Sequence, residues 1–262
     1  MIVWGEQMGT FNIHTKNRLE FDYQNVENFK FLVNNQPVFY IIPTDSYSTN
    51  EVEAFQRILS EQEKEKASRF RFVKDRNSYI VTHAKLRQIL GQYLEYEPEK
   101  IRFVLNDYGK PSLIDSYNFI HFNLSHSTGI SVIGFDAKSE IGVDVERIDP
   151  EFDFDPIVNT HFTQEENNFI FESPEESHLR FYTIWTRKEA FLKTIGIGIS
   201  EDLEVEVFRE ANQYKPGKQI SGIHANDFYL CSFGFKQKFL ITTATHHPDG
   251  LIGLIDPQRQ LF

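Results

Sequence analysis

The sequence predicts an α+β protein built from two halves. Two observations carry this: strand-like and helix-like groups occur twice along the chain, and no Pro- or Ser-rich linker parts them. No internal sequence repeat points to a solenoid. The 262 residues suit one large domain or two modest ones, and 25 Phe, 11 Tyr and 2 Trp supply ample apolar side chains for a core.

Residues 1–36 are polar, rich in Asn and Phe and without clear period, and read as an N-terminal extension ahead of halves at 37–140 and 141–262. Val38 to Ile42, β-branched and aromatic and closed by Pro43, reads as a strand. Val52, Phe55, Ile58 and Leu59 fall at helical spacing behind Asn50 as a cap, and Ser60-x-x-Glu63 is a capping box. A longer helix is expected over about 74–94: Tyr79, Ile80, His83, Ala84, Leu86, Leu90, Tyr93 and Leu94 keep one buried face, and basic residues line the rest. Strands follow at 101–105, 119–124, 130–135 and 141–148, with a turn over Asn106 to Pro111. Thr163-x-x-Glu166 and Ser173-Pro174-x-Glu176 start two helices, the second ending at Gly196. Strands near 203–208, 228–233 and 239–243 complete the chain.

With 38 acidic against 27 basic side chains the formal charge is −11, which excludes a general binder of nucleic acid or anionic membrane. The single Cys231 allows neither an intramolecular disulfide nor a cysteine-based zinc site, which fits a reducing compartment. Met1 to Thr10 lack the features of a secretory signal, and no apolar run reaches membrane-span length. A soluble, cytoplasmic protein is expected. The charge is unevenly placed: Lys64 to Arg87 has eight basic residues against Glu65 and Asp75, while Glu140 to Glu176 has twelve acidic residues against Arg147 alone. Each segment alone reads as a solvated face; together they suggest a site handling an anion and a cation.

Within Ile141-Gly142-Val143-Asp144-Val145-Glu146, strand alternation puts the apolar side chains on one face and Asp144 and Glu146 on the other. Two such carboxylates can converge on one hard cation, or form the polar face of a half-exposed strand. On the following helix Glu189 and Lys193 stand one turn apart, the spacing of a site pair or of a surface salt bridge. His126 sits within Asn123-Leu124-Ser125-His126-Ser127 and Lys110 within Tyr108-Gly109-Lys110-Pro111, motifs that mean little singly.

Taken in order, Tyr-Gly-Lys-Pro, Asn-Leu-Ser-His-Ser, Gly-Val-Asp-Val-Glu and Trp-x-x-Lys-Glu-Ala-Phe-x-Lys resemble the Sfp-type 4'-phosphopantetheinyl transferases, over about 37–248. The last two motifs, in this order and about forty residues apart, are specific. The resemblance implies a monomer of two similar α+β halves related by a pseudo-twofold, with coenzyme A between them. It implies Mg²⁺-dependent transfer of phosphopantetheine to a serine of an acyl- or peptidyl-carrier, with no nucleic acid or membrane partner. Asp144, Glu146 and Glu189 become the implied magnesium ligands. Lys188 and Lys193 become phosphate contacts, with Lys193 and Glu189 also taking part in the chemistry. Ser125, His126, Lys66 and Arg69 match residues holding the 3'-phosphate, and Gly109, Lys110 and Pro111 match an adenine-side loop. Glu63 stands where the family has a basic residue, with Lys64 as a substitute. Glu166 matches a glutamate proposed as general base, although its place in a capping box gives it an equal structural claim. Two rivals remain: a Mg²⁺-dependent nucleotide phosphohydrolase using the same carboxylates, and a catalytically silent carrier-binding module.

Overall fold

A computed structural model describes residues 11–18, 23–25, 36–114, 119–197, 205–214, 227–248 and 252–255. Strand alternation sets its layers. In β3 (Val38–Ile42), Val38, Tyr40 and Ile42 pack toward the helices of the N-terminal half, while Phe39 and Ile41 join a cluster on the other face. β7 (Ile130–Asp136) divides likewise, Ile133 and Phe135 toward the helices, Ile130 and Val132 away from them. In the C-terminal half, β10 (Asp227–Phe235) and β11 (Phe239–Thr245) direct Phe228, Leu230, Leu240 and Ala244 toward helices. Phe233, Phe235 and Ile241 meet Phe39, Ile41 and Val132 in the shared cluster. The two sheets therefore face each other across an apolar layer, and helices cover their outer faces.

The halves repeat one plan. In the first, β3 is followed by α1 (Thr49–Gln56), α2 (Glu61–Ser68), α3 (Val73–Leu94) and a hairpin of β6 (His121–Ser127) and β7. There β7 pairs antiparallel with both β6 and β3. In the second, β8 (Gly142–Arg147) is followed by α4 (Asp155–His161), α5 (Gln164–Phe171), α6 (Ser177–Ile195) and the β10–β11 hairpin. There β11 pairs antiparallel with both β10 and β8. A two-stranded ribbon of β4 (Phe103–Leu105) and β5 (Pro111–Leu113) is added to the first half.

The chain ends are exchanged between the halves. β1 (Phe11–Arg18) pairs parallel with β10 and antiparallel with β9 (Ala211–Tyr214), in the C-terminal sheet. β12 (Ile252–Ile255) lies between β2 (Tyr23–Asn25) and β3, in the N-terminal sheet. Sequence pattern anticipates none of these four short or polar strands, nor α4. Within 203–208, residues 205–207 form no strand, and 201–204 lie outside the described residues. α1 starts earlier than Asn50 would allow, because Ser48 and Glu51 make its capping box. Among the described residues no helix is long and apolar enough to cross a membrane.

Candidate active site

β6 and β8 belong to different sheets, and side chains of β6 bridge the gap between them. Strand period places Asn123, Ser125 and Ser127 on one face of β6. Asn123 Oδ1 accepts from the Val143 N–H at 2.9 Å, and the Ser125 hydroxyl donates to Asp144 Oδ1 at 2.8 Å. Ser127 Oγ accepts from the Arg147 N–H at 3.0 Å and donates to Glu146 Oε2 at 3.3 Å. The Asn-Leu-Ser-His-Ser pattern is thus a row of hooks that holds β8 in register.

Val143 and Val145 enter the layer between the sheets, which leaves Asp144 and Glu146 on the opposite face of β8. α6 packs beside that face at a distance that Gly142 permits, since a Cβ there would overlap the Ala190 carbonyl oxygen and Thr194 Oγ1. This close approach brings Lys193 Nζ to 2.7 Å from Asp144 Oδ1, 3.1 Å from Ser125 Oγ and 3.4 Å from Glu189 Oε2. Asp144 and Glu189 are buried. Burial, then the negative charges of Asp144 and Glu189, push Glu146 up to about 7. Burial also raises Glu189 to about 7, with Asp144 adding to it and Lys193 opposing. Burial works against the Lys193 ammonium, but Asp144 and Glu189 outweigh it and hold the lysine above its ordinary range.

Such a cluster is short of positive charge. Asp144 Oδ2 is buried and accepts no hydrogen bond, an orphan acceptor in a set of hard oxygen donors. Among the described residues no three His, Cys, Asp or Glu side chains are drawn together closely enough to hold a metal ion as they stand. Asp144 and Glu189 instead share Lys193. The donor chemistry and the orphan oxygen nevertheless suit a hard divalent cation.

Lys193 also lines a cleft of about 880 Å³, a size that suits a cofactor. One wall is α2 and α3, with Glu63, Lys66, Tyr79 and His83; the other is the β4–β5 ribbon, with Leu105, Tyr108, Gly109, Lys110 and Pro111. The ribbon turn is closed by Asn106 Oδ1, which accepts from the N–H groups of Tyr108 at 3.0 Å and Lys110 at 2.8 Å. Gly109 takes the left-handed backbone the turn needs, at φ 81°. Asn106 Nδ2 reaches the Gly196 carbonyl at 2.9 Å, and Lys110 Nζ bonds Glu140 and the Thr194 carbonyl, so the ribbon is fastened to the C-terminal half. His126, on the other face of β6 from Ser125, is exposed. Desolvation by surrounding protein, then the charge of Lys193, lowers its pKa, with His83 and Lys66 adding smaller repulsions.

A family model described as "4'-phosphopantetheinyl transferase superfamily" matches residues 140–244, and one described as "4'-phosphopantetheinyl transferase, N-terminal" matches residues 46–137. The chain is 31% identical over 179 residues to the 4'-phosphopantetheinyl transferase HetI of Nostoc sp., covering 67% of this chain and 75% of that relative. The chain belongs to the 4'-phosphopantetheinyl transferases. The transferase Sfp of Bacillus subtilis is 26% identical to it over 203 residues, 77% of this chain and 88% of that one. The L-aminoadipate-semialdehyde dehydrogenase-phosphopantetheinyl transferase of Xenopus laevis is 27% identical over 160 residues, 56% of this chain and 53% of that one.

Within this transferase the expected site residues separate into two groups. Asp144, Glu146, Glu189, Lys193 and Ser125 are brought together, and Lys66, Gly109, Lys110 and Pro111 line the cleft. Three side chains lie elsewhere. Arg69 is exposed and paired with Glu65 at 2.5 Å, outside the cleft. Lys188 and Glu166, expected at phosphate and proton, are instead fully buried and paired with each other at 2.8 Å. Lys188 also donates to the Val205 carbonyl at 2.6 Å, and Glu166 accepts from the Thr163 and Val207 N–H groups at 3.0 and 3.3 Å. Both carboxylate oxygens are committed inside the C-terminal core, a placement that favours the capping and ion-pairing role of Glu166 over that of general base. Ser125 is likewise turned to Asp144, away from the face that carries His126.

Sequence reasoning missed the role of Glu63. It closes the capping box of α2 and takes Arg87 at 2.8 Å and His83 at 3.4 Å, while Lys64 turns to Glu61. Arg87, placed by pattern on an exposed basic face, is buried because Glu63 and the carbonyls of Pro98 and Ile101 receive it. The signal was the acidic residue at a position the family fills with a base. Burial tends to raise Glu63, but His83, the Ser60 N–H and Arg87 outweigh it and lower the pKa from 4.5 to about 2. A folded pKa below the unfolded one contributes stability that is present above pH 4.5 and lost as pH falls toward 2. Glu63→Gln should therefore flatten the decline in melting temperature across that window; an unchanged slope would remove Glu63 from the acid response.

Proposed function

We propose that coenzyme A lies in the cleft with its pyrophosphate at Lys193 and Asp144, and that its phosphopantetheine arm passes to a serine of an apo acyl- or peptidyl-carrier. The supporting observation is Lys193, whose ammonium belongs both to the cleft and to the carboxylate cluster. A bond forms between the serine oxygen and the β-phosphorus as the bond from that phosphorus to the 3',5'-ADP oxygen breaks, and the serine proton leaves. Negative charge grows on the departing oxygen, where a lysine kept protonated by Asp144 and Glu189 is well suited. Ser125 orients Asp144 by its hydrogen bond. Asp144, Glu146 and Glu189 are the residues that would hold Mg²⁺, which supplies neutralisation of the pyrophosphate when bound. With Glu166 enclosed, the proton leaves to water at the carboxylate face. The lone Cys231 fits action in the reducing cytoplasm, and the family resemblance supports a monomer.

Intact-mass measurement of apo-carriers incubated with the transferase, coenzyme A and Mg²⁺ tests the reading. A gain of one phosphopantetheine supports it. Coenzyme A consumed without carrier would favour a phosphohydrolase, and carrier bound but unmodified a silent module.

Lys66 and His126 are assigned to the 3'-phosphate on the strength of their cationic neighbourhood beside the cleft. Lys66→Ala and His126→Ala should each raise the KM for coenzyme A roughly tenfold with little change in kcat. With dephospho-coenzyme A the difference from wild type should vanish. A variant that still separates the two cofactors as wild type does has no part in reading that phosphate.

A further inference from the structure

Residues 71–76, at the start of α3, form a run of six exposed residues. Phe72 is 61% and Val73 60% exposed, among the largest apolar exposures in the described residues. Three cations, Arg71, Lys74 and Arg76, and one carboxylate, Asp75, accompany them. Arg71 lies over the Phe72 ring, 5.4 Å from its centre, and Lys74 pairs with Asp45 at 3.0 Å while remaining half exposed. Arg71 and Arg76 have no ion-pair partner among the described residues. This basic and apolar patch lies on a chain whose net charge is −11.

Two routes connect the patch to the cleft and to the carboxylate cluster. Along α3, Tyr79 is six residues beyond Val73, about 9 Å by helical rise, and lines the cleft. Through Lys74, Asp45 reaches the turn between β6 and β7, where a Cβ on Gly129 would lie 2.5 Å from Asp45 Oδ2. Two residues before Gly129, Ser127 bonds Glu146.

We infer that this patch receives the apo-carrier, through a carrier face that sets carboxylates around an apolar side chain. The inference rests on the reaction proposed above, which obliges a protein to bring its serine to Lys193 and Asp144. Charge complementarity selects the occupant. An acidic partner is repelled by the net field of the chain and attracted only where cations gather, so Arg71, Lys74 and Arg76 steer it. Phe72 and Val73 then supply apolar area to hold it.

The test uses the full-length transferase and an apo acyl-carrier protein of net negative charge. Arg71→Glu combined with Arg76→Glu, and separately Phe72→Ser combined with Val73→Ser, should raise the KM for carrier about tenfold or more. The kcat at saturating carrier and the affinity for coenzyme A should stay within about threefold. The wild-type KM should rise with salt over about 0.05 to 0.5 M, and the charge-reversed enzyme should lose that dependence. These side chains are exposed, so melts near wild type are expected and should be recorded. A charge-reversed enzyme with unchanged carrier KM and salt slope overturns the docking surface; so does an equal loss of coenzyme A affinity, which would assign the patch to the cofactor. A wild-type enzyme that modifies no apo-carrier overturns the reaction itself, so the two failures are distinguishable.

Discussion

Asp144→Asn is expected to lower transfer at least about a hundredfold while the protein melts within a few degrees of wild type. Asparagine keeps the volume and can still accept from Ser125 and Lys193, so the contacts that hold β8 against β6 and α6 survive. It removes one of three carboxylates that disfavour one another in a buried setting, and Lys193 retains Glu189 at 3.4 Å. The stability effects therefore oppose and nearly offset. On the proposed reading function has no such compensation, because the orphan Oδ2 would be an oxygen offered to the cation and an amide there is a poor hard ligand. Carrier modification should be followed by intact mass at saturating coenzyme A and Mg²⁺, beside a thermal melt. Transfer within tenfold of wild type would show that Asp144 is not at the reacting phosphate.

Glu166→Gln should do the reverse. Its carboxylate and the Lys188 ammonium are both fully buried at 2.8 Å, and removing the charge of one leaves the other uncompensated in the core. Breaking such a pair costs about 3–5 kcal/mol, or roughly ten degrees or more of melting temperature in a protein of this size. Turnover per folded molecule should stay within a few-fold of wild type, whereas loss of a general base would lower it about 10² to 10⁴-fold. Normal melting with turnover down a hundredfold would restore the base assignment. A second variant separates charge from packing: Lys188→Met combined with Glu166→Leu removes both ions and should recover much of the lost stability.

Much of the site is legible in the sequence where chemistry and local period agree. Ile141 to Glu146 alternates cleanly, so the two carboxylates fall on one face, and Glu189 and Lys193 are one helical turn apart on α6. What escapes is whatever needs a distant partner. Glu166 announces itself as a capping residue through Thr163, but its pairing with Lys188 crosses from α5 to α6 and has no local signature. Ser125 and His126, adjacent in a motif, are divided by the pleat, one toward Asp144 and the other toward solvent. Arg87 and Lys85 look like surface cations until tertiary partners bury them. β1, β9 and β12 are short or polar segments that become strands by pairing with partners distant in the sequence.

That pairing bears on how the chain is made. Asn12 and Asp227, hydrogen-bonded and paired in register, are 215 residues apart, and β12 must slot between β2 and β3 before the N-terminal sheet is whole. During synthesis, therefore, the N-terminal half cannot mature as an independent unit, because β12, a strand of its sheet, is made more than 200 residues after β3. Such long-range pairing makes folding slow and leaves the edge of β3 open meanwhile, a template for pairing with the wrong chain.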